Sequence, residues 1–265
     1  MISNNIKEKQ VKSSTNSGIF SFFESMVRSH PLLYYYARQL VKYTNIFEED
    51  AIGTKFLKFK TNLNIIDVGA SDGMASKFFL SNLNVSKIIC FEPDKNYVKI
   101  LKNLNKKVIV KPYAIGEKTK QTTVYYPEYS LFGRRYRLIT YCYYNKDILK
   151  KQLELDFKFR TKLKIIKQKI KIQKIKKINF KIDLIKIDVN GYEFSVIKGI
   201  REIIKRDRPA LLIETGSETN KIKKFLKTYS YGHYIYSNKT KKFYKAKKNY
   251  SLDTYFLQNN HLQKN

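Results

Sequence analysis

From residue 64 onward the chain repeats one pattern: a short apolar run, a turn, then a stretch with apolar residues on one helical face. The apolar runs fall at 64–69, 87–91, 108–112, 183–189 and 210–215. They are nearly continuous rather than alternating, as expected for strands covered on both faces. The stretches between them, at 73–82, 94–104, 193–205 and 219–229, read as helices. Strand–helix alternation of this kind predicts a doubly wound, mostly parallel α/β sheet. His233 to Ser237 and Asp253 to Gln258 close it as an antiparallel pair, which gives seven strands with an antiparallel strand near the C-terminus.

The remaining segments break the alternation. Residues 1–18 are polar and Ser/Asn/Lys-rich, and they predict disorder. Ile19 to Val27 and Leu32 to Tyr43 predict two short helices around Pro31, within a helical extension over 19–58 that precedes the main domain at 59–260. The first helix carries Phe20, Phe22, Phe23 and Met26 beside Arg28 and His30, so its apolar side has two uses: packing on the domain, or weak peripheral contact with a membrane. Thr122 to Tyr126 predicts a short extra strand, Phe132 to Tyr144 a tyrosine- and arginine-rich loop, and 146–158 a helix. An insertion on a rigid sheet is a natural place for substrate contacts. Lys162 to Lys177 alternates lysine with isoleucine, which predicts a half-buried strand at a sheet edge, with lysines discouraging further pairing.

The chemistry concentrates where the first strands end. Asp67-Val68-Gly69-Ala70-Ser71-Asp72-Gly73 is an acidic, glycine-bearing turn leading into a helix. The next strand ends in Glu92-Pro93-Asp94, where Glu92 is placed to accept hydrogen bonds from ribose hydroxyls and Asp94 to support it. The turn has Gly-x-x-x-Gly spacing, not the Gly-x-Gly-x-x-Gly of dinucleotide sites. Fewer glycines and two extra acids, Asp67 and Asp72, suit a cationic ligand without phosphate. S-adenosylmethionine is such a ligand. Its methionine end would then lie by Asp67 and the turn, and Tyr113 and Ala114, after the third strand, would flank its adenine. Farther on, Lys186-Ile187-Asp188-Val189-Asn190-Gly191-Tyr192-Glu193 ends the fourth long strand. Asp188 is the first candidate for a catalytic or acceptor-orienting carboxylate. Lys186, two residues back, points to the same face. Asn190 and Glu193 read as a capping box, with Asn190 as N-cap. Glu214 ends the fifth strand and either orients an acceptor hydroxyl or caps the next turn.

Together these segments resemble the FkbM family of S-adenosylmethionine-dependent methyltransferases. The matching positions are Asp67 to Gly73, Phe91-Glu92-Pro93, Ala114-Ile115-Gly116-Glu117 and Lys186 to Glu193, within roughly residues 60–258. The family usually has Glu where this chain has Asn190, and an L-D-D-like segment where it has Gln173-Lys174-Ile175. The resemblance implies a class I Rossmann-like methyltransferase fold, S-adenosylmethionine as cofactor, and methyl transfer to a hydroxyl of a small molecule, sugar, glycan or secondary metabolite. Two other readings stay open: an RNA methyltransferase, prompted by charge, and a binding module that keeps the fold without chemistry, prompted by Asn190.

Charge and cysteine content change this picture little. The formal net charge is +31, but lysine far outnumbers arginine, and Arg134, Arg135 and Arg137 form the one arginine cluster. A nucleic-acid site would favour arginine interleaved with aromatic rings, so nucleic acid is not the expected partner. Cys90 and Cys142 match no metal or redox spacing, and no His/Cys/Asp cluster predicts a metal. Without a long apolar run or a signal core, a cytoplasmic setting is expected. His233 stands alone and reads as a packing residue.

Overall fold

The computed structural model describes residues 30–44, 49–59, 62–138, 141–157, 163–175, 177–246 and 253–263, apart from the side chains of 38–44 and 49–50. The polar N-terminus and the expected helix Ile19–Val27 lie outside these residues. In chain order the strands are β1 (Leu63–Val68), β2 (Val85–Phe91), β3 (Val108–Lys111), β4 (Ala114–Ile115), β5 (Lys120–Leu131), β6 (Arg134–Arg137) and β7 (Leu163–Gln173). They continue with β8 (Leu184–Ile187), β9 (Ala210–Glu214), β10 (Gly232–Ser237), β11 (Lys242–Lys245) and β12 (Asp253–Leu257). The helices are α1 (Pro31–Thr44), α2 (Glu49–Ile52), α3 (Met74–Asn82), α4 (Lys95–Lys102), α5 (Lys146–Asp156), α6 (Glu193–Gly199), α7 (Arg201–Asp207) and α8 (Thr219–Lys227). The chain divides into two compact units, one of residues 1–46 and 123–169, the other of 47–122 and 170–265.

The larger unit holds an eight-stranded sheet in the order β11-β10-β12-β9-β8-β1-β2-β3. β3, β2, β1, β8 and β9 run parallel, and β12 is antiparallel to both β9 and β10. The expected antiparallel closure by β10 and β12 is therefore present. The sheet has one strand more than the seven expected. Lys242–Lys245 folds back on β10 as an edge strand, pairing Tyr236 with Phe243 and Ser237 with Lys242. Its lysine-rich sequence hid it, yet Phe243 packs into the core beside Tyr236 and Tyr255.

Both faces of this sheet are covered, which is why its strands read as continuous apolar runs. On one face Ile66, Val68, Ile185, Ile187, Leu211 and Ile213 pack against Val196 and Ile197 of α6, Ile203 and Ile204 of α7, and Ile222 and Leu226 of α8. On the other, Ile65, Ile88, Cys90, Leu184 and Leu212 meet Phe78 and Phe79 of α3 and Leu101 of α4. Cys90 is fully buried, and desolvation holds its thiol far above the ordinary range, so it packs as a small apolar group. His233 packs too. Its ring stacks on Phe256 with centroids 4.6 Å apart, its Nε2 lies 2.8 Å from Thr254 Oγ1, and burial pushes its pKa down to about 4.

The single helix expected over 193–205 is two, α6 and α7, parted at Ile200. Gly199 ends α6 where the backbone after β4 passes close by. A Cβ there would lie 2.5 Å from the Gly116 carbonyl oxygen.

A second sheet has the order β4-β7-β5-β6. Two expectations change here. The Lys/Ile strand β7 lies between β4 and β5 in the sheet order, and β4 pairs with it at Ile172 and Gln173, so the edge expectation is corrected at that end of the strand. The expected short strand at 122–126 is twelve residues long, and the loop after it is a hairpin. β5 turns tightly through Phe132-Gly133 into β6, with Leu131 opposite Arg134 and Tyr129 opposite Tyr136. In the smaller unit, Leu138, Tyr141, Leu149, Leu153 and Phe157 form a separate core, with Tyr34 and Tyr35 of α1 against it.

Candidate functional site

The parallel order switches direction between β1 and β8, since β1 continues to β2 and β3 on one side and to β8 and β9 on the other. Connections leave this point in opposite directions and open a crevice at the carboxyl ends of the strands, the usual ligand position in such sheets. The candidate residues 67–73, 92–94, 186–188 and 214 all lie at these ends.

The turn after β1 is built on alternating left-handed residues: Gly69 at φ +78°, Ser71 at +50° and Gly73 at +84°. Gly69 has no room for a side chain, because a Cβ would lie 2.0 Å from the carbonyl oxygen of Asp188. The turn is tied to the end of β2. The amides of Gly69 and Ala70 donate to the Phe91 carbonyl at 3.0 and 3.4 Å, and the Gly73 amide donates to the Ala70 carbonyl at 2.9 Å. Glu92, only 6% exposed, accepts from the Ser71 amide at 2.9 Å through Oε2 and from the Asp94 amide at 2.8 Å through Oε1. Asp94 also caps α4 by accepting from the Asn96 amide at 2.8 Å, and Pro93 between them is half-buried. The turn and the acid thus form one hydrogen-bonded assembly. Its amides at 69, 70, 71 and 73 are committed to the chain's own oxygens, whereas Asp67, Asp72 and Glu92 are buried acids. Such a cradle is acidic and offers few amide donors, the reverse of a phosphate-binding loop. It fits a cationic ligand without phosphate.

Asp67 is fully buried and accepts from Ser76 Oγ of α3 at 2.6 Å, so it fastens the helix start to the strand end. Ser76 also lies 3.2 Å from Cys90 Sγ. A hydroxyl at the third position of a helix entered from a glycine turn was the sequence signal for this partner, and it is unremarkable alone. In register beside Asp67 on β8 stands Lys186. Its side chain is 4% exposed and pairs at 3.0 Å with Asp188 Oδ2, whose side chain is 32% exposed. Position 186 therefore holds a buried lysine with Asp67 beside it on β1 and Asp188 two residues farther along.

The loop after β8 corrects the capping-box expectation. Asn190 and Gly191 both have positive φ, +52° and +99°, whereas an N-cap is extended. The helix begins at Glu193, with Tyr192 as N-cap and no side-chain cap. Glu193 reaches backward instead and accepts from the Gly191 amide at 2.9 Å and the Val189 amide at 3.3 Å. Burial raises its pKa, and the amides oppose that rise. Asn190 serves as a left-handed residue, a conformation asparagine tolerates better than most. This has a measurable outcome. Asn190→Gly should keep the melting temperature, while Asn190→Thr, a good cap but a poor left-handed residue, should lose about 1–2 kcal/mol in chemical unfolding. A threonine variant as stable as the parent would restore the cap.

Glu214 ends β9, half-buried, directly opposite Asp253 at the start of β12. Asp253 carries no sequence signal of its own, because its place beside Glu214 follows from strand pairing alone. Tyr113 and Ala114 lie beyond β3. Tyr113 packs edge-on against Phe91 with centroids 5.6 Å apart, and Ala114 is buried in β4, paired with Ile172. The structure thus joins residues 67–73, 92–94 and 186–188 in one assembly, with Glu214 one strand away. Among the described residues, no group of acids, histidines and cysteines has the arrangement of a metal site, and no helix is long and apolar enough to cross a membrane.

Comparison with known proteins places these features in a family. No curated protein matches the sequence. Among solved structures, a methyltransferase FkbM from Methylobacillus flagellatus superposes with a TM-score of 0.49 at 16% identity, over 90% of this chain and 58% of that one. The chain therefore spans little more than half the length of that protein. A precorrin-6y C5,15-methyltransferase from Geobacter metallireducens gives 0.38 at 13% identity, covering 78% and 84% of the two chains. TrmK of M. capricolum, in complex with S-adenosylhomocysteine, gives 0.36 at 10%, covering 82% and 71%. These superpositions are loose, and the assignment rests on sequence. The methyltransferase FkbM domain model matches residues 67–235, from the acid that opens the glycine turn to the middle of β10 and well over half of the chain, so the chain belongs to the FkbM methyltransferase family.

Proposed function

We propose that this protein transfers a methyl group from S-adenosylmethionine to a hydroxyl of a sugar, glycan or secondary metabolite. The observation that carries the cofactor reading is the lock between Glu92 and the 69–73 turn at the strand-order switch, inside the span matched by the family model. Bound there, the cofactor supplies a methyl group already activated by its sulfonium. Glu92 and Asp94 would hold the ribose end, Asp67 and the turn the methionine end, and Tyr113 would flank the adenine. The donor chemistry asks for little beyond alignment and a way to take up the acceptor's proton. Asp188, with Lys186 behind it, is the residue proposed for the acceptor hydroxyl, and Glu214 is the reserve. A methyl acceptor with a hydroxyl suits this pair, because the partly exposed Asp188 carboxylate can accept a hydrogen bond from it while Lys186 holds the carboxylate in place.

Asn190, which raised the question of a chain without chemistry, is accounted for by backbone conformation and gives no reason to exclude turnover. The test is calorimetric titration with S-adenosylhomocysteine. Glu92→Ala should weaken binding by about 1.5–3 kcal/mol, the range for hydrogen bonds to a charged group. Affinity within twofold of the parent would remove Glu92 from the site.

A further inference from the structure

The hairpin of the smaller unit carries a side chain that no contact in the chain explains. Phe132 is 94% exposed. It also stands at φ +47°, followed by Gly133 at φ +75°. Two left-handed residues joining β5 to β6 make the two-residue turn that twisted hairpins favour, and its first position is usually asparagine, aspartate or glycine. A phenylalanine there adopts a backbone conformation unusual for a bulky residue and keeps a large apolar ring in water. The turn is open around it. A Cβ built on Gly133 meets nothing within 4 Å.

The base of the hairpin is anchored while its tip projects. Tyr136 of β6 packs against Tyr35 and Tyr36 of α1, with centroids 5.1 and 6.1 Å apart. Tyr36 and Leu33, one helical turn apart, are themselves about half exposed. Arg134 and Arg135 follow the turn directly and are exposed, whereas Arg137 is engaged with the hydroxyl and ring of Tyr126. An aromatic tip with two exposed arginines at its root is thus presented to solvent.

We propose that this hairpin anchors the protein on an anionic lipid surface, with the Phe132 ring at the boundary of headgroups and acyl chains and Arg134 and Arg135 on the lipid phosphates. Aromatic rings favour that boundary, and arginine complements the phosphate layer above it. The chain's net charge of +31 draws it toward such a surface. Single-stranded RNA is the poorer fit, because base stacking uses rings laid along a groove or sheet face, and this ring stands at the tip of a turn. The inference is independent of the methyl-transfer reading, and its readout uses no turnover.

The chain contains no tryptophan, so Phe132→Trp places a single reporter at the tip. With phosphatidylcholine vesicles containing phosphatidylserine, its emission should shift to the blue and be quenched by lipids brominated in their acyl chains. Phosphatidylcholine alone should give much less. Phe132→Asn puts a preferred residue into the turn and should leave the melting temperature unchanged or higher, yet weaken partitioning to the anionic vesicles on the order of tenfold to a hundredfold. Arg134→Gln with Arg135→Gln should weaken it on the order of tenfold. Co-sedimentation with vesicles that is indifferent to Phe132→Asn, while the tryptophan emits as in water, would overturn the proposal and leave adsorption by overall charge. A blue shift produced by single-stranded RNA and not by vesicles would overturn it in favour of base stacking.

Discussion

A Gly69→Ala chain should lose about 4 kcal/mol of stability, a large share of the roughly 5–15 kcal/mol that holds a typical domain folded. Two costs add. The residue sits at φ +78°, where an L side chain is strained, and the new Cβ would lie 2.0 Å from the Asp188 carbonyl oxygen. That neighbour is backbone, so it yields only if β8 separates from β1 at the rim of the crevice. Overpacking of this kind costs about 1–3 kcal/mol even where side chains can adjust. Urea unfolding of the alanine variant beside Gly133→Ala gives the measure. Gly133 also has a positive φ but stands in open space, so its variant carries the strain without the clash. Equal losses for the two would show that the close approach of Gly69 to Asp188 is not maintained in solution. The same result bears on function, because a glycine required by the fold cannot serve as a clean probe of ligand affinity.

Asp188→Asn is expected to act twice. It takes the charge partner from a nearly buried ammonium, which should cost about 2–3 kcal/mol, the low end for a buried pair because Asp188 itself is one-third exposed. If Asp188 also takes up the acceptor's proton, turnover should fall by about 10²–10⁴-fold. Stability and chemistry separate in a cycle with Lys186→Met. Methionine fills similar space but leaves the fully buried Asp67 facing an uncharged neighbour, so Lys186→Met alone should cost about 1–3 kcal/mol, and the double variant should recover part of the summed loss. Turnover should not recover with it. The measurements are urea midpoints and release of S-adenosylhomocysteine with a panel of hydroxyl acceptors. A double variant that regains both stability and turnover would make Asp188 a partner for Lys186 and nothing more, and the base would then be sought at Glu214.

The parallel part of the main sheet was legible from the chain because each strand is covered on both faces, which leaves uninterrupted apolar runs between turns. The glycine turn, the acid after β2 and the motif after β8 were legible for a related reason: a close backbone approach and a buried charge each narrow the residue types allowed. What the chain concealed were features set by partners distant in sequence. Lys242–Lys245 looks like a solvated charge run until β10 supplies its ladder. Lys162 to Lys177 looks like a protected edge until β4 is found paired with it at Ile172 and Gln173. Asn190-Gly191-Tyr192-Glu193 has the spacing of a capping box, yet the chain passes through two left-handed residues first, so the same side chains bond differently. Sequence alone thus determined the family, the alternation of strands and helices, and the acids at their ends. Tertiary structure decided which of those acids stand together. The lock of Glu92 on Ser71, the place of Lys186 beside Asp67 and the place of Asp253 opposite Glu214 all depend on strand order and register, which bring residues far apart in the chain within hydrogen-bonding distance or onto facing strand positions.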